Sequence, residues 1–450
     1  MAKPTTQQKG KLLRILGVSF GIAVTLGSTI GVGILRTPGT VAAQLGNVWL
    51  IMAIWTVGGV YALFGTIAVT ELATTLPQAG GWYVYARRAF GEYAGFTVGW
   101  INWVSYCTAA ASITIAIGDY LAKLAPAFSG NTKAIAIIVL IVFTLMHWLG
   151  LRLGSRAQEL MSFTTALGFV ALVVACFVFG GRNTPVGMEG TALPVPTTFA
   201  AVFIALVISF QSVIFTYDGW YGAIYFSEED TNPARNLPRS MISAVVVIIS
   251  IYLLLNLAFL YVLPLPQLAA SQLPAADAAQ IVFGGQSEQV LTALVLLSLL
   301  SVMNAGFMQT PRIMYGMSRD RLFLSKASNV NARGTPIIAL TISTVTEVLL
   351  VTSGTFEKLL AVTSFFWVVM YGSGFASLIA LRKSEPSLAR PFKAWGYPWT
   401  TLVVVVLSFV FLIGVIISDT TNSVYALAIL ALSYPAYLIV KRTMSSAVSS

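Results

Sequence analysis

Apolar runs of roughly 18 to 27 residues recur along the whole chain, and about 20 such residues span the hydrocarbon core of a bilayer as a helix. They lie at approximately 13–38, 47–73, 92–121, 134–150, 157–180, 198–226, 239–263, 288–317, 336–353, 357–381, 399–418 and 423–440. In lipid every backbone N–H and C=O must find a partner inside the protein, so runs of this length fold as transmembrane helices. With 57% of residues hydrophobic and only 9% charged, little polar sequence is left for anything else. The expected fold class is an all-α polytopic membrane protein of twelve transmembrane helices. It forms a single domain over residues 1–450 and has no soluble domain.

The basic residues orient these helices. With a cytoplasmic N-terminus and twelve crossings, all of the 26 Lys and Arg fall inside except Arg36, Lys123, Lys133, Arg182 and Lys358. Such a bias follows the positive-inside rule and places both termini in the cytoplasm, as in a bacterial inner membrane. The net charge of +10 is therefore a topology signal, and its spread over short loops and tails argues against a nucleic-acid partner. The polar start Met1 to Lys11 shows no cleavage site after the first run, so no removed signal peptide is expected. Cys107 and Cys176 both lie in apolar runs and read as packing residues, with no disulfide, metal site or cofactor expected.

Two glycine-rich breaks interrupt this pattern, Gly27-Ser28-Thr29-Ile30-Gly31-Val32-Gly33 in the first run and Thr216-Tyr217-Asp218-Gly219-Trp220 in the sixth. Paired broken helices in corresponding positions of two halves are a sequence pointer to a transporter's binding site. Each break opens a set of five spans, and an odd number of crossings sends the second set in from the opposite face. The expected units are an inverted repeat of residues 12–185 and 196–385, followed by two further spans at 399–440. The segment Pro264 to Ser287 is expected to be a partly helical cap over the seventh and eighth spans.

Several loops can then be matched to a family. The stretch Gly27-Ser28-Thr29-Ile30-Gly31-Val32-Gly33-Ile34 is followed by Glu71-Leu72, Pro77, Gly80-Gly81-Trp82-Tyr83, Phe90-Gly91 and Gly99-Trp100. Later come Glu228-Glu229 with Asn232-Pro233-Ala234-Arg235-Asn236-Leu237-Pro238-Arg239, then Arg319-Asp320, Thr335-Pro336 and Arg390-Pro391. In this order and spacing the chain resembles the amino acid–polyamine–organocation permeases, in the branch of bacterial L-amino acid transporters and heteromeric light subunits. The resemblance implies the LeuT-like five-plus-five inverted-repeat fold, with helices one and six broken, and alternating access. It also implies a substrate pocket between spans one, three, six, eight and ten.

Within that pocket Ser28, Thr29, Ile30, Gly31, Val32, Gly33, Tyr106, Phe215, Thr216, Tyr217, Asp218 and Asn304 are the candidate substrate-binding residues. Free amides around Val32 and Gly33 would favour a carboxylate at a helix N-terminus. Carbonyls from Ser28 to Ile30, and near Phe215 and Thr216, would accept from an α-ammonium. Phe215 and Trp220 are gate candidates, and Trp367 is either an outer-gate or a lipid-facing residue. Asp218, an ionisable group expected near the bilayer centre, needs water, substrate or a partner. Three roles are open to it: binding a cationic substrate group, carrying a coupling proton, or pairing with Arg36. Arg36, Thr165 and Ser301 are, with Asp218, the coupling candidates, because span five lacks the lysine that sodium-independent relatives often carry. The coupling ion stays open between proton and sodium.

Glu347 and Asp119 are expected to be satisfied at interfaces or by snorkelling. Glu71, Arg87, Arg88, Glu228, Glu229 and Arg239 are candidates for an inner gate of ion pairs or for solvated loop charge. His147 is expected near the inner end of span four. No spacing of His, Glu and Cys offers an enzyme centre. The function expected is secondary active transport of L-amino acids, neutral ones ahead of cationic ones, coupled to protons or working by exchange. The partners are then the amino acid and the lipid bilayer. A cationic amino acid or polyamine carrier using Asp218 is the alternative, and a sensor or channel on the same fold is a more distant one.

Overall fold

A computed structural model describes residues 11–181 and 198–446, which form sixteen α-helices. They are α1 (Val18–Thr29), α2 (Gly33–Leu45), α3 (Val48–Thr75), α4 (Trp82–Phe90), α5 (Glu92–Leu124), α6 (Thr132–Trp148), α7 (Leu151–Phe179) and α8 (Phe199–Tyr217). After them come α9 (Pro233–Val262), α10 (Leu265–Ala270), α11 (Pro274–Phe283), α12 (Ser287–Arg319), α13 (Ile337–Ser353), α14 (Phe356–Ser384), α15 (Trp399–Ser418) and α16 (Thr420–Ser446). Lys3, Lys9 and Arg182 lie outside the described residues.

Nine of the described helical segments are long and apolar enough to cross a membrane, and α1 with α2, bent by 46°, makes a tenth. The runs at 134–150 and 336–353, expected as full spans, fold instead as the shorter apolar helices Thr132–Trp148 and Ile337–Ser353. The burial pattern is that of a membrane protein. Leu160, Leu167, Phe409 and Ile439 face outward, whereas Thr70, Asn102, Gln158 and Asn304 are sealed inside. Among lipid tails an apolar exterior is no liability, and the polar groups gather where they can satisfy one another.

The first break has a local cause. Thr25, Ser28 and Thr29 each turn a hydroxyl back onto the carbonyl four residues earlier, at 2.9, 2.7 and 2.9 Å. Such back-bonding bends helices, and the glycines that follow weaken the next turn. In the sixth run α8 ends at Tyr217, and a turn and a 3-10 segment, Gly222–Phe226, continue the chain. Gly219 makes that turn with φ +104°, a conformation that side-chain-bearing residues rarely adopt. A β-bridge between Leu16 and Asp230 ties the start of the first run to the segment that follows the second break and its 3-10 turn.

The cap is helical, as α10 and α11, but it does not cover only the seventh and eighth spans. Gly39 of α2 packs directly under Leu268 and Ser271, because a glycine there leaves room for the cap's backbone.

Candidate functional site

The two breaks touch. A Cβ on Gly219 would lie 2.4 Å from the Ser28 carbonyl oxygen, so only glycine admits the approach. Thr37 and Thr216 share a hydrogen bond of 2.8 Å, and the Gln309 amide donates to Ser28 Oγ at 2.9 Å and to the Gly222 carbonyl at 3.3 Å. Around this junction lies a cavity of about 200 Å³. Its walls come from the two breaks, from α5 (Ser105, Tyr106, Ala109), from α12 (Val302, Gly306, Gln309) and from Trp367 of α14. Those are the five spans from which the sequence reading builds its pocket.

Of the candidate binding residues, Ser28, Thr29, Gly31, Gly33, Tyr106, Phe215, Thr216 and Asp218 line this cavity. The N–H groups of Gly31, Val32 and Gly33 take no acceptor from the described residues, and they open the 13-residue helix α2. Other candidates point elsewhere. Ile30 is buried, and its carbonyl accepts from Ser298 at 2.8 Å. Tyr217 is buried against Trp55 and donates to the Trp55 carbonyl. Asn304 faces α7, bonding the Gly154 carbonyl and the Gln158 side chain. Ser301 belongs to the same α7–α12 network, through Ser162 and Gln158. Thr165 is buried in α7, with a hydroxyl that finds no partner among the described residues.

The expected carbonyl acceptors are also differently employed. The Tyr252 hydroxyl donates to the carbonyls of both Thr29, at 2.8 Å, and Thr216, at 3.2 Å. Asp218 does not pair with Arg36: no ion pair among the described residues joins them, and Arg36 is exposed on α2. The Asp218 carboxylate instead accepts from the Tyr371 hydroxyl of α14. It is the only charged side chain in the cavity wall as described. Tyr221, Ser105, Gln309 and Tyr371 went unmarked in the sequence. The first two carry no distinguishing signal there, and the last two act through partners far away in the chain.

At the Arg-rich end the cavity is sealed twice. Trp82 of α4 packs against Trp220, Tyr221, Tyr371 and Phe375, with ring centroids 5.1–6.5 Å apart. Trp220, expected as a gate residue, is therefore a buried member of this plug and not part of the cavity wall. Beyond the plug Arg312 forks onto Glu229 at 2.9 and 3.1 Å, and both side chains are almost wholly buried. Burial pushes the Glu229 carboxyl above its ordinary range, and the Arg312 guanidinium works against that shift. Glu71 is held by Arg382 and Arg390, Glu228 by Arg319, and Asp320 by Arg87 and Tyr83. Arg88 pairs with Glu385 near solvent, whereas Arg239 is exposed and makes no ion pair among the described residues. At the opposite end Phe215 meets Trp367 with ring centroids 4.9 Å apart, and Phe215 is still 41% exposed.

Two expectations about isolated ionisable groups divide. Asp119 is exposed and accepts from Thr132, as an interfacial carboxylate would. Glu347 does not snorkel: it is 2% exposed in α13, and its Oε2 has no partner among the described residues. His147 packs against Phe143 and Phe307, which also touch each other, near the end of α6.

The profile of the amino acid permease family matches residues 16–437. The chain belongs to this family. It is an amino acid transporter and not an enzyme, a multi-pass membrane protein of the amino acid–polyamine–organocation group. The permease is 25% identical over 446 residues to the serine/threonine exchanger SteT of Bacillus subtilis (strain 168), covering 98% of this chain and 100% of that protein. It is 26% identical over 415 residues to the b(0,+)-type amino acid transporter 1 of Mus musculus, covering 89% and 82%. With the human cystine/glutamate transporter it shares 27% identity over 412 residues, covering 87% and 78%.

Proposed function

We propose that this permease moves small L-amino acids across the cell membrane by alternating access, with the cavity between the two breaks as its substrate site. The finer architecture in this reading is twelve spans, with the shorter helices α6 and α13 as the fourth and ninth. Two five-helix halves, residues 12–185 and 196–385, form an inverted repeat. The Arg-rich end faces the cytoplasm by the positive-inside rule. The doubly sealed Arg-rich end and the thin Phe215–Trp367 closure then correspond to an outward-facing state.

The observation that carries this reading is the run of Gly31, Val32 and Gly33 N–H groups at the start of α2, which take no acceptor among the described residues, with Gly31 and Gly33 in the cavity wall. Backbone donors and the helix dipole together suit a carboxylate. Gly31, Gly33, Ala109 and Gly306 bring the cavity up to the backbone; the preference for small substrates in this reading follows the serine/threonine exchanger among its relatives. Exchange is the favoured mode, since one relative of full-length coverage is named a serine/threonine exchanger. The coupling candidates rank differently from one another. Asp218 lines the cavity, the Thr165 hydroxyl has no partner among the described residues, Ser301 is already bonded, and Arg36 makes no ion pair with the aspartate among the described residues.

Proteoliposome flux tests the reading. Saturable uptake of serine, threonine or alanine, accelerated by amino acid preloaded inside, is expected. Non-saturating net current would instead favour a channel. A second reading, a cationic amino acid or polyamine carrier, rests on Asp218 being the only charge in the described wall. Accelerated exchange with lysine or putrescine, and none with neutral amino acids, would establish it.

A further inference from the structure

We infer that Gln309 of α12 selects the substrate's side chain: its amide oxygen accepts a hydrogen bond from the hydroxyl of serine or threonine. The assignment rests on the substrate site proposed above. The Gln309 nitrogen donates to Ser28 Oγ at 2.9 Å and to the Gly222 carbonyl at 3.3 Å. These partners fix which end of the amide is which. A carbonyl can only accept, and Ser28 already gives its one hydrogen to the Val24 carbonyl at 2.7 Å, so each calls for the nitrogen. Both N–H hydrogens are thereby engaged, and the oxygen is turned the other way.

That oxygen accepts nothing from the described residues, yet it is not sealed in. On α12 the sealed side-chain atoms without a partner are Asn304 Oδ1 and Ser318 Oγ, whereas Gln309 lines the cavity. Gln309 is only 1% exposed, so the missing donor has to come from inside the cavity. A buried acceptor left without one carries a desolvation penalty.

Its place on α12 suits the end of a short side chain. Val302, Gly306 and Gln309 all line the cavity, and their spacing puts them on one face of the helix. That face runs along the first break. A Cβ on Gly31 would lie 3.7 Å from Val302, and Gln309 bonds Ser28. A ligand with its carboxylate on the N–H groups of Gly31, Val32 and Gly33 would have its side chain beside this face, toward Gln309. Gly306 leaves the middle open, since a Cβ there would meet only Tyr106, at 3.9 Å. Long helical side chains lean toward the N-terminus of their helix, which carries the Gln309 amide toward that gap. A serine or threonine hydroxyl supplies the hydrogen that the oxygen lacks. A methyl group in its place would cover the oxygen and leave it unpaired.

The test uses ligand pairs in which a methyl group replaces the hydroxyl: L-serine with L-2-aminobutyrate, and L-threonine with L-valine. Equilibrium binding is measured on the purified protein and read as a ratio within each pair, so a general loosening of the Ser28 and Gly222 contacts cancels. The wild type should bind the hydroxyl member about 5- to 100-fold more tightly, the range for leaving a buried acceptor unpaired. In Gln309→Met, similar in length but without the amide, the ratio should fall below about threefold. Ser105→Ala should keep the wild-type ratio, because Ser105 is the other neutral acceptor considered, in the α5 wall, with its own hydrogen given to the Ile101 carbonyl. A ratio that survives in Gln309→Met overturns the assignment, even where every ligand binds more weakly. So does a wild type that binds both members of each pair alike. A wild type that binds none of the four overturns the substrate site, and the assignment falls with it. Should Gln309→Met not fold, Gln309→Asn, which draws the oxygen back by one methylene, is read in the same way.

Discussion

The two ends of the cavity are built from different materials. Toward the Arg-rich end the wall is a stack of five buried aromatic rings, centred on Trp82, backed by the Arg312–Glu229 fork and the Glu71 cluster. Toward the other end it is a single tilted contact between Phe215 and Trp367. One closure joins α4, α12, α14 and the turn after the second break, so opening it must separate many groups at once. The other can open by one side-chain rotation. In the proposed alternating-access reading the thick seal would set which state rests, and the thin one how long a ligand stays.

The sharpest way to break this comparison is Arg312→Ala, which leaves Glu229 buried and alone at a cost of about 3–5 kcal/mol. A large fall in the unfolding midpoint of the detergent-solubilised protein is expected. The double variant Arg312→Met/Glu229→Leu should recover most of it, because removing both charges leaves nothing unpaired. Equal damage in the single and double variants would mean that the fork does not act as a pair.

Next in size is Gly219→Ala. The φ of +104° makes any side chain strained, at roughly 1–2 kcal/mol, and the new Cβ would collide with the Ser28 carbonyl. The backbones of the two breaks must then part, so substrate binding should fall even where the protein remains monodisperse. Wild-type binding in this variant would separate the cavity from the contact between the breaks.

At the thin end, Phe215→Ala removes a ring pair worth about 0.5–1.5 kcal/mol, so amino acid dissociation should accelerate by roughly 2- to 10-fold with stability unchanged. The smallest effect is expected from Arg88→Ala. Arg88 is exposed and its partner Glu385 half-buried, and the Glu385 carboxyl is held below the ordinary range chiefly by the Arg88 hydrogen bond. That depression stabilises only above the carboxylate's unfolded value and fades as pH falls through the folded one. At neutral pH water and counterions can replace the arginine, so no measurable change in transport or unfolding midpoint should appear.

What could be read from the sequence follows physical range. Most of the helices and the two breaks were legible, because hydrophobic run length and glycine are local signals, whereas the five walls of the cavity came from the family resemblance of the loop motifs. Partnerships between distant residues were not. Tyr252 and Ser298 satisfy the break carbonyls from α9 and α12, and Tyr371 reaches Asp218 from α14. Nothing near Asp218 in the chain announces that tyrosine, whereas Arg36 was conspicuous only by its nearness to the first break. Trp220 illustrates the same limit: its place beside a break suggested a gate, but only the fold shows that its ring packs into the plug with Trp82 and Phe375 and not into the cavity wall. Glu347 misled for a related reason, since an outward, snorkelling position and a sealed one differ only by rotation about α13.

The central claim, that an amino acid occupies the cavity between the breaks while the Arg-rich end stays shut, is most directly tested at Ala109. This residue lines the cavity, and both native cysteines are buried, so Ala109→Cys provides a single reactive thiol. In oriented membranes a membrane-impermeant maleimide should label it from the face opposite the Arg-rich end, and saturating L-serine or L-alanine should slow the labelling. Labelling only from the Arg-rich face, or labelling that no amino acid slows, would contradict the account.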